Sequence, residues 1–109
     1  MNTSEAVSAP MSTTICRTVT ISNPLGMHAR PAMAFVDLAN QFKSEISVHK
    51  DATEDGGEAV TVDGKSVMQV ITLEATQGTV LRIEAGGEDA AAAVEQLVKL
   101  VEGNFGEDE

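Results

Sequence analysis

ICRTVTISNPLGMHARPAMAFVDLA, residues 15–39, sets the architecture, because the period of its apolar residues changes within it. Over 15–21, Ile15, Val19 and Ile21 fall on one side while Cys16, Thr18 and Thr20 fall on the other. That alternation predicts a half-buried strand. Arg17 interrupts the apolar side near the strand's start, where it reaches solvent. Ser22-Asn23-Pro24-Leu25-Gly26 carries turn chemistry and ends the strand. From 29 to 42 the spacing becomes helical: Ala32, Phe35, Val36 and Ala39 follow i, i+3, i+4, i+7, and Leu38 and Phe42 widen the stripe.

Downstream, residues 45–49 alternate again, with Ile46 and Val48 inward. Residues 51–58 hold four acidic side chains and Gly56-Gly57, a loop leading to a strand with Val60 and Val62 inward. Asp63-Gly64 is a turn. Ser66 followed by Gln69 matches a capping box, so a short helix is expected over 66–71. Gln77-Gly78 turns the chain into a strand over 79–85, with Leu81, Ile83 and Ala85 inward. Glu88-Asp89 suits the start of a last helix, whose face is Ala90, Ala93, Val94, Leu97 and Val101, with Gly103 as its stop.

The order βαββαβα has one apolar face on every strand and on both long helices. One arrangement uses all of them. It is an α+β, two-layer open-faced sandwich: a four-stranded, mostly antiparallel sheet covered on one face by two long helices and one short helix.

Residues 1–14 are rich in Ser, Thr and Ala without periodicity and read as a flexible extension. Residues 15–105 form the domain, and 106–109 an acidic tail. The 109 residues suffice for a single core. With no Trp or Tyr and three Phe, that core is aliphatic. A net charge of −10 argues against nucleic acid, whose phosphates need clustered Lys and Arg. Cys16 is the sole cysteine, so neither an internal disulfide nor a multi-thiolate metal site is possible. No apolar run approaches the roughly 20 residues that span a bilayer, and residues 1–14 lack the pattern of a secretory signal. No membrane insertion and a cytoplasmic location are expected.

His28 is the residue whose chemistry stands out. It lies behind Gly26-Met27 and at the mouth of the first helix, with Arg30 and Pro31 in the first turn. Proline usually prefers the first helical position, which would make Arg30 the cap; we place the cap at His28. Metal ligation needs several ligands, and His49, the only other histidine, lies on another element. A hydrolytic triad needs a nucleophilic serine and a structured acid, and neither is visible. What remains is the imidazole nitrogen as a nucleophile.

A helix mouth favours a dianion by roughly 0.3–2 kcal/mol. A charged hydrogen bond from Arg30, whose planar fork suits phosphate oxygens, is worth about 1.5–3 kcal/mol. Those magnitudes hold a phosphoryl group without making its attachment permanent. The plain alternative is that His28 merely caps a helix and Arg30 is solvated.

Gly26-Met27-His28-Ala29-Arg30-Pro31-Ala32 and Gly64-Lys65-Ser66-Val67-Met68 together resemble the two signatures of the HPr family. These are the histidine-containing phosphocarriers of the bacterial phosphoenolpyruvate-dependent sugar phosphotransferase system. The resemblance covers about residues 15–105. It implies that His28 is phosphorylated on Nδ1, giving a pros-phosphohistidine, by enzyme I. The group would then pass to enzyme IIA components. It also implies that Arg30 steadies the phosphate and that Ala29 and Arg30 supply backbone N–H donors.

Ser66 matches the family's regulatory serine, the substrate of an HPr kinase/phosphorylase. Such proteins are carriers rather than stand-alone enzymes, and need no cofactor or metal. Met27, Val67 and Met68, with Ile71 beside them, are expected to form an apolar rim for partners. Met27 and Met68 should be partly exposed and Val70 buried, and His49 should face solvent. A monomer is expected.

The chain departs from the family pattern in its acidic loop 51–58, in Gln69 where glycine is common, and in its N-terminal extension. A regulatory phosphorelay of nitrogen or carbon metabolism, without a sugar permease, shares the histidine motif and is the alternative function. A binding module modified only on Ser66 is a third reading, disfavoured by the intact His-Ala-Arg-Pro run.

Overall fold

Three antiparallel ladders join four strands in a computed structural model of the chain, which describes residues 14–54 and 56–106. The elements are β1 (Thr14–Thr20), α1 (Ala29–Ala39), β2 (Glu45–Lys50), β3 (Val60–Asp63), α2 (Val67–Ile71), β4 (Val80–Gly86) and α3 (Ala90–Glu102), then a 3₁₀ turn (Asn104–Gly106). β1 begins at Thr14, one residue before the expected start. The rest of the expected extension, and residues 107–109 of the expected tail, lie outside the described residues.

The strand order is β1-β4-β2-β3, so the last strand in sequence lies between β1 and β2. The register pairs Val19 with Leu81, Ile15 and Ile46 with Ala85, and Val48 with both Ile83 and Val62. A one-residue slip on any strand would turn its apolar set to water, so the aliphatic pattern holds the register. The opposite face carries Cys16, Glu84, Ser47 and Asp63 in one row across the four strands. That face is open, as expected for an antiparallel sheet covered on one side.

α3 packs on β1 and β4, and α1 packs on α2 and α3. The expected helical stripes are buried: Ala32, Phe35, Val36 and Ala39 on α1; Ala90, Ala93, Val94, Leu97 and Val101 on α3, joined by Val98. A buried Val, Leu or Phe contributes about 1.5–3 kcal/mol relative to exposure. Differences in intrinsic helix propensity among ordinary residues stay below about 0.7 kcal/mol. Burial therefore outweighs the poor propensity of the valines. Among the described residues no helix is long and apolar enough to cross a membrane.

α1 stops at Ala39 rather than running to residue 42. Asn40 turns its amide onto the Val36 carbonyl at 3.0 Å. The next residues tighten into i→i−3 bonds, Gln41 N–H to Leu38 O at 3.0 Å and Phe42 N–H to Ala39 O at 3.2 Å. Leu38 and Phe42 are consequently only half-buried at the core's margin. Gly103 caps α3 as expected but keeps a negative φ. The left-handed turn falls instead on Asn104 and Phe105, each at φ 58°, where Phe105 is held by burial.

Asp89 precedes α3 but does not cap it with its side chain. Its carboxylate accepts from Lys43 N–H at 2.8 Å, Ser44 N–H at 2.9 Å and the Ser44 hydroxyl, tying α3 to the loop before β2. The Ser44 hydroxyl first, then the Lys43 amide, hold this carboxyl below its ordinary value. A carboxyl depressed in the folded state stabilises above its unfolded pKa, about 3.9, and loses that contribution as pH falls through the folded value. Asp89→Asn should therefore lower the urea midpoint at pH 7. The gap from wild type should narrow as the pH drops below 4, a trend checked by urea titrations at pH 7 and pH 2.5. An unchanged gap would mean that the carboxylate charge contributes nothing.

Candidate functional site

Between β1 and α1 the chain reverses in eight residues that hydrogen bonds hold from several sides. Ile21 bonds on both its N–H and C=O, to Thr79 O at 2.9 Å and from Gly78 N–H at 2.8 Å. Gln77 Nε2 donates to Ser22 O at 2.9 Å, and the Ser22 hydroxyl donates to Asn104 Oδ1 at 2.6 Å. The β1–α1 loop is thereby attached to the β4 approach and to the C-terminal turn, neither of which is near it in sequence.

Gly26 adopts φ +70°, a conformation that glycine takes without steric cost, and its missing side chain makes room for the Ala75 carbonyl. That carbonyl accepts Met27 N–H at 2.8 Å. The chain after α2 is thus brought against the residue before His28.

His28 occupies the N-cap of α1, with extended backbone (φ −82°, ψ −168°) and its carbonyl accepting from Ala32 N–H at 2.9 Å. Its ring makes no capping bond to the helix. The residue is half-buried, and its Nε2 is shut off from solvent. Ala29 and Arg30 follow as the first two helical residues, both exposed. Pro31 is buried in the same turn, where a missing N–H costs no intrahelical bond. The first-turn N–H groups have no acceptor within the helix, and the helix dipole adds positive potential there. No acidic residue lies in that turn to cancel it. Arg30 forms no ion pair among the described residues, leaving its guanidinium available to an anion.

Ser66 caps α2, accepting Gln69 N–H at 3.3 Å. The expected capping box is one-sided. Ser66 N–H is already taken by Asp63 O at 3.1 Å, so the Gln69 side chain reaches past it and accepts Asp63 N–H at 3.0 Å.

Met27 does not line the rim. It is 4% exposed, because the Gly26 turn and the bond to Ala75 direct its side chain into the core. Val67 is half-buried against that core, whereas Met68 is 75% exposed and Ile71 also reaches solvent. Val70 is buried as expected. Leu25 in the turn and Met33 on α1 are also exposed, outside the expected rim. Met33 lies outside the 32/35/36/39 stripe, so a strict helical wheel separates it from the core face. Leu25, in a turn, carries no periodic signal at all.

His49 is half-buried rather than freely solvated. Its Nδ1 lies 2.7 Å from Thr61 Oγ1 and its Nε2 2.8 Å from Asp51 Oδ1, on the open side of the sheet. Both ring nitrogens are engaged.

Comparison with known proteins gives concordant matches. The family model described as the PTS HPr component phosphorylation site matches residues 15–103. A phosphocarrier protein HPr of Neisseria meningitidis is 41% identical over 93 residues, covering 85% of this chain and 97% of that protein. A phosphocarrier protein NPr of Proteus mirabilis is 39% identical over 92 residues, covering 84% and 96%. The crystal structure of HPr-C-His from Thermoanaerobacter tengcongensis superposes with a TM-score of 0.76 at 39% identity, covering 87% of this chain and 99% of that one.

Proposed function

Because this chain belongs to the HPr family of phosphotransferase-system phosphocarriers, we propose that His28 is the residue on which it carries the phosphoryl group. The carrier role follows from the family; the residue and the partners are our reading. The observation that supports it most is His28 at the N-cap of α1 with Nε2 closed to solvent. With Nε2 closed to solvent, we assign the reaction to Nδ1, the nitrogen that the family resemblance implies.

In the forward step the Nδ1 lone pair attacks phosphorus on phosphorylated enzyme I. A P–N bond forms while the donor's bond to phosphorus breaks, its electron pair leaving with the donor. The Ala29 and Arg30 N–H groups and the Arg30 guanidinium bind the phosphoryl oxygens as charge shifts between the two groups. Reversal of the same step on an enzyme IIA component returns the lone pair to His28. Met68, Val67 and Ile71, with Leu25 and Met33, supply apolar contact to these partners.

Residues 15–105 act as the carrier domain, a cytoplasmic monomer in this reading. Ser66 is the regulatory position for an HPr kinase/phosphorylase. A phosphate there adds negative charge to the surface that must dock on enzyme I and enzyme IIA.

The NPr relative supports the second reading, a regulatory phosphorelay of nitrogen or carbon metabolism. Supplying phosphorylated protein to a sugar-permease enzyme IIA and to a regulatory one separates the two. Faster transfer to the sugar-permease component favours the first reading, and transfer to the regulatory component alone overturns it.

Arg30 is exposed and unpaired within the described residues, so Arg30→Ala should leave the thermal midpoint nearly unchanged. Loss of one charge-assisted contact worth about 1.5–3 kcal/mol predicts transfer roughly 10- to 150-fold slower. Stopped-flow transfer from enzyme I checks this, and an unchanged rate removes Arg30 from the site.

A further inference from the structure

We infer that Asn23 is a positioning residue for His28, acting through the peptide bond between Gly26 and Met27. The inference rests on the reading of His28 as the phosphoryl acceptor. Asn23 is fully buried although it lies in a surface turn. Its Nδ2 donates to Gly26 O at 2.8 Å, while Gly26 N–H donates back to Asn23 O at 3.1 Å. The turn is therefore closed twice, once by main chain and once by a side chain.

The Gly26 carbonyl and the Met27 N–H belong to the same peptide unit. Asn23 holds its oxygen, and Ala75 O holds its hydrogen at 2.8 Å. With both ends of that plane fixed, and the Met27 side chain buried as a peg, the chain enters His28 in one direction. On the far side the His28 carbonyl is fixed by Ala32 N–H at 2.9 Å. The imidazole is thus carried on backbone secured before and after it. Of the two holds on the Gly26–Met27 plane, the one from Asn23 alone is made by a side chain and can be deleted without moving main chain.

The reason for such a constraint is kinetic. In-line attack on phosphorus requires the nitrogen at the correct distance and angle, and a misplacement of about 1 Å costs on the order of 100-fold in rate. A residue important only for stability would change the unfolding midpoint and leave the turnover of the folded fraction alone.

The test compares full-length wild type, Asn23→Ala and Asn23→Asp as phosphoryl acceptors from enzyme I and phosphoenolpyruvate, well below each variant's unfolding midpoint. Asn23→Asp keeps the shape, but its carboxylate has no N–H to donate. In both variants kcat should fall roughly 10- to 100-fold while KM for the carrier stays within about twofold. The His28 ring resonances should broaden or double in ¹H–¹⁵N spectra. A folded variant with kcat within twofold of wild type overturns the inference. So does failure of both variants to fold, which would make Asn23 a residue of stability only. If wild type itself takes no phosphoryl group, the reading of His28 falls and this inference with it. Labelled wild type with fast variants removes the positioning role alone.

Discussion

His28→Ala should abolish the acid-labile phosphate that enzyme I and phosphoenolpyruvate place on the protein, with no residual label. A phosphoramidate on imidazole breaks down in acid, because protonation of the ring makes it a good leaving group; a phosphoserine ester survives. His49, the other histidine of the sequence, is not placed to substitute. His49 lies on β2 with Nδ1 against Thr61 and Nε2 against Asp51, on the open side of the sheet rather than at a helix mouth.

The loss should also occur without unfolding. The His28 ring makes no capping bond to α1, so its removal forfeits none of the roughly 0.5–2 kcal/mol that a bonded cap contributes. Circular dichroism of the variant should match wild type. Ser66→Ala should retain the acid-labile label and remove instead any acid-stable phosphate introduced by an HPr kinase with ATP. Acid-labile phosphate on His28→Ala would assign the acceptor to another residue. An acid-stable label that persists in Ser66→Ala would remove the regulatory role.

Gly26→Ala should be among the most destabilising single-methyl changes in the chain. At φ +70° an added Cβ would lie 2.4 Å from the Ala75 carbonyl oxygen and 2.9 Å from Thr76 Cα, both main-chain atoms. Left-handed backbone costs an L-residue about 1–2 kcal/mol, and forcing extra volume into a packed site costs about 1–3 kcal/mol. Together they predict a loss of about 2–5 kcal/mol, which lowers the thermal midpoint by roughly 10 °C or more in a domain of this size.

The oxygen that must yield is the acceptor of Met27 N–H, so phosphoryl acceptance should fall as well. Gly78→Ala separates the two costs. Gly78 has φ +91° but open space where the methyl would go, so only the backbone term of about 1–2 kcal/mol remains. Equal thermal shifts in the two variants would show that the contact with Ala75 is not the source of the effect.

Most of the architecture is legible in the periodicities. Alternation over 15–21 and helical spacing over 32–39 each have one solution that buries the apolar set, and the same holds at Ile46 and Val48 and along α3 from Ala90 to Val101. That His28 lies at a helix mouth is legible too, because Pro31 tolerates the first turn and little else of a helix; proline's preference for the first position points to Arg30 as the cap, whereas the cap is His28. The ends of elements are less so. α1 ends at Ala39, where the Asn40 N–H and side-chain amide both donate to the Val36 carbonyl and the next N–H groups shift to i→i−3 acceptors, and no period reports that change. The half-formed capping box has a similar origin, since whether Gln69 finds Ser66 N–H free depends on what Asp63 O has already taken.

The site divides along the same line. The proposed nucleophile His28, the neighbouring cation Arg30 and the serine helix start at Ser66 are local features, written in a few adjacent residues, and sequence alone suggests them. Which residues face the partner is not local. Met27 and Met68 look alike in sequence, yet one is buried and the other exposed. The difference comes from the Ala75 carbonyl, 48 positions beyond Met27, which the fold sets against Met27 N–H. The same holds for Asn23, whose amide reads as ordinary turn chemistry until the buried Gly26 carbonyl is seen in front of it. Periodicity reports which side of an element is apolar; only the packing of distant segments sets which polar groups are left to hold the loop that carries His28.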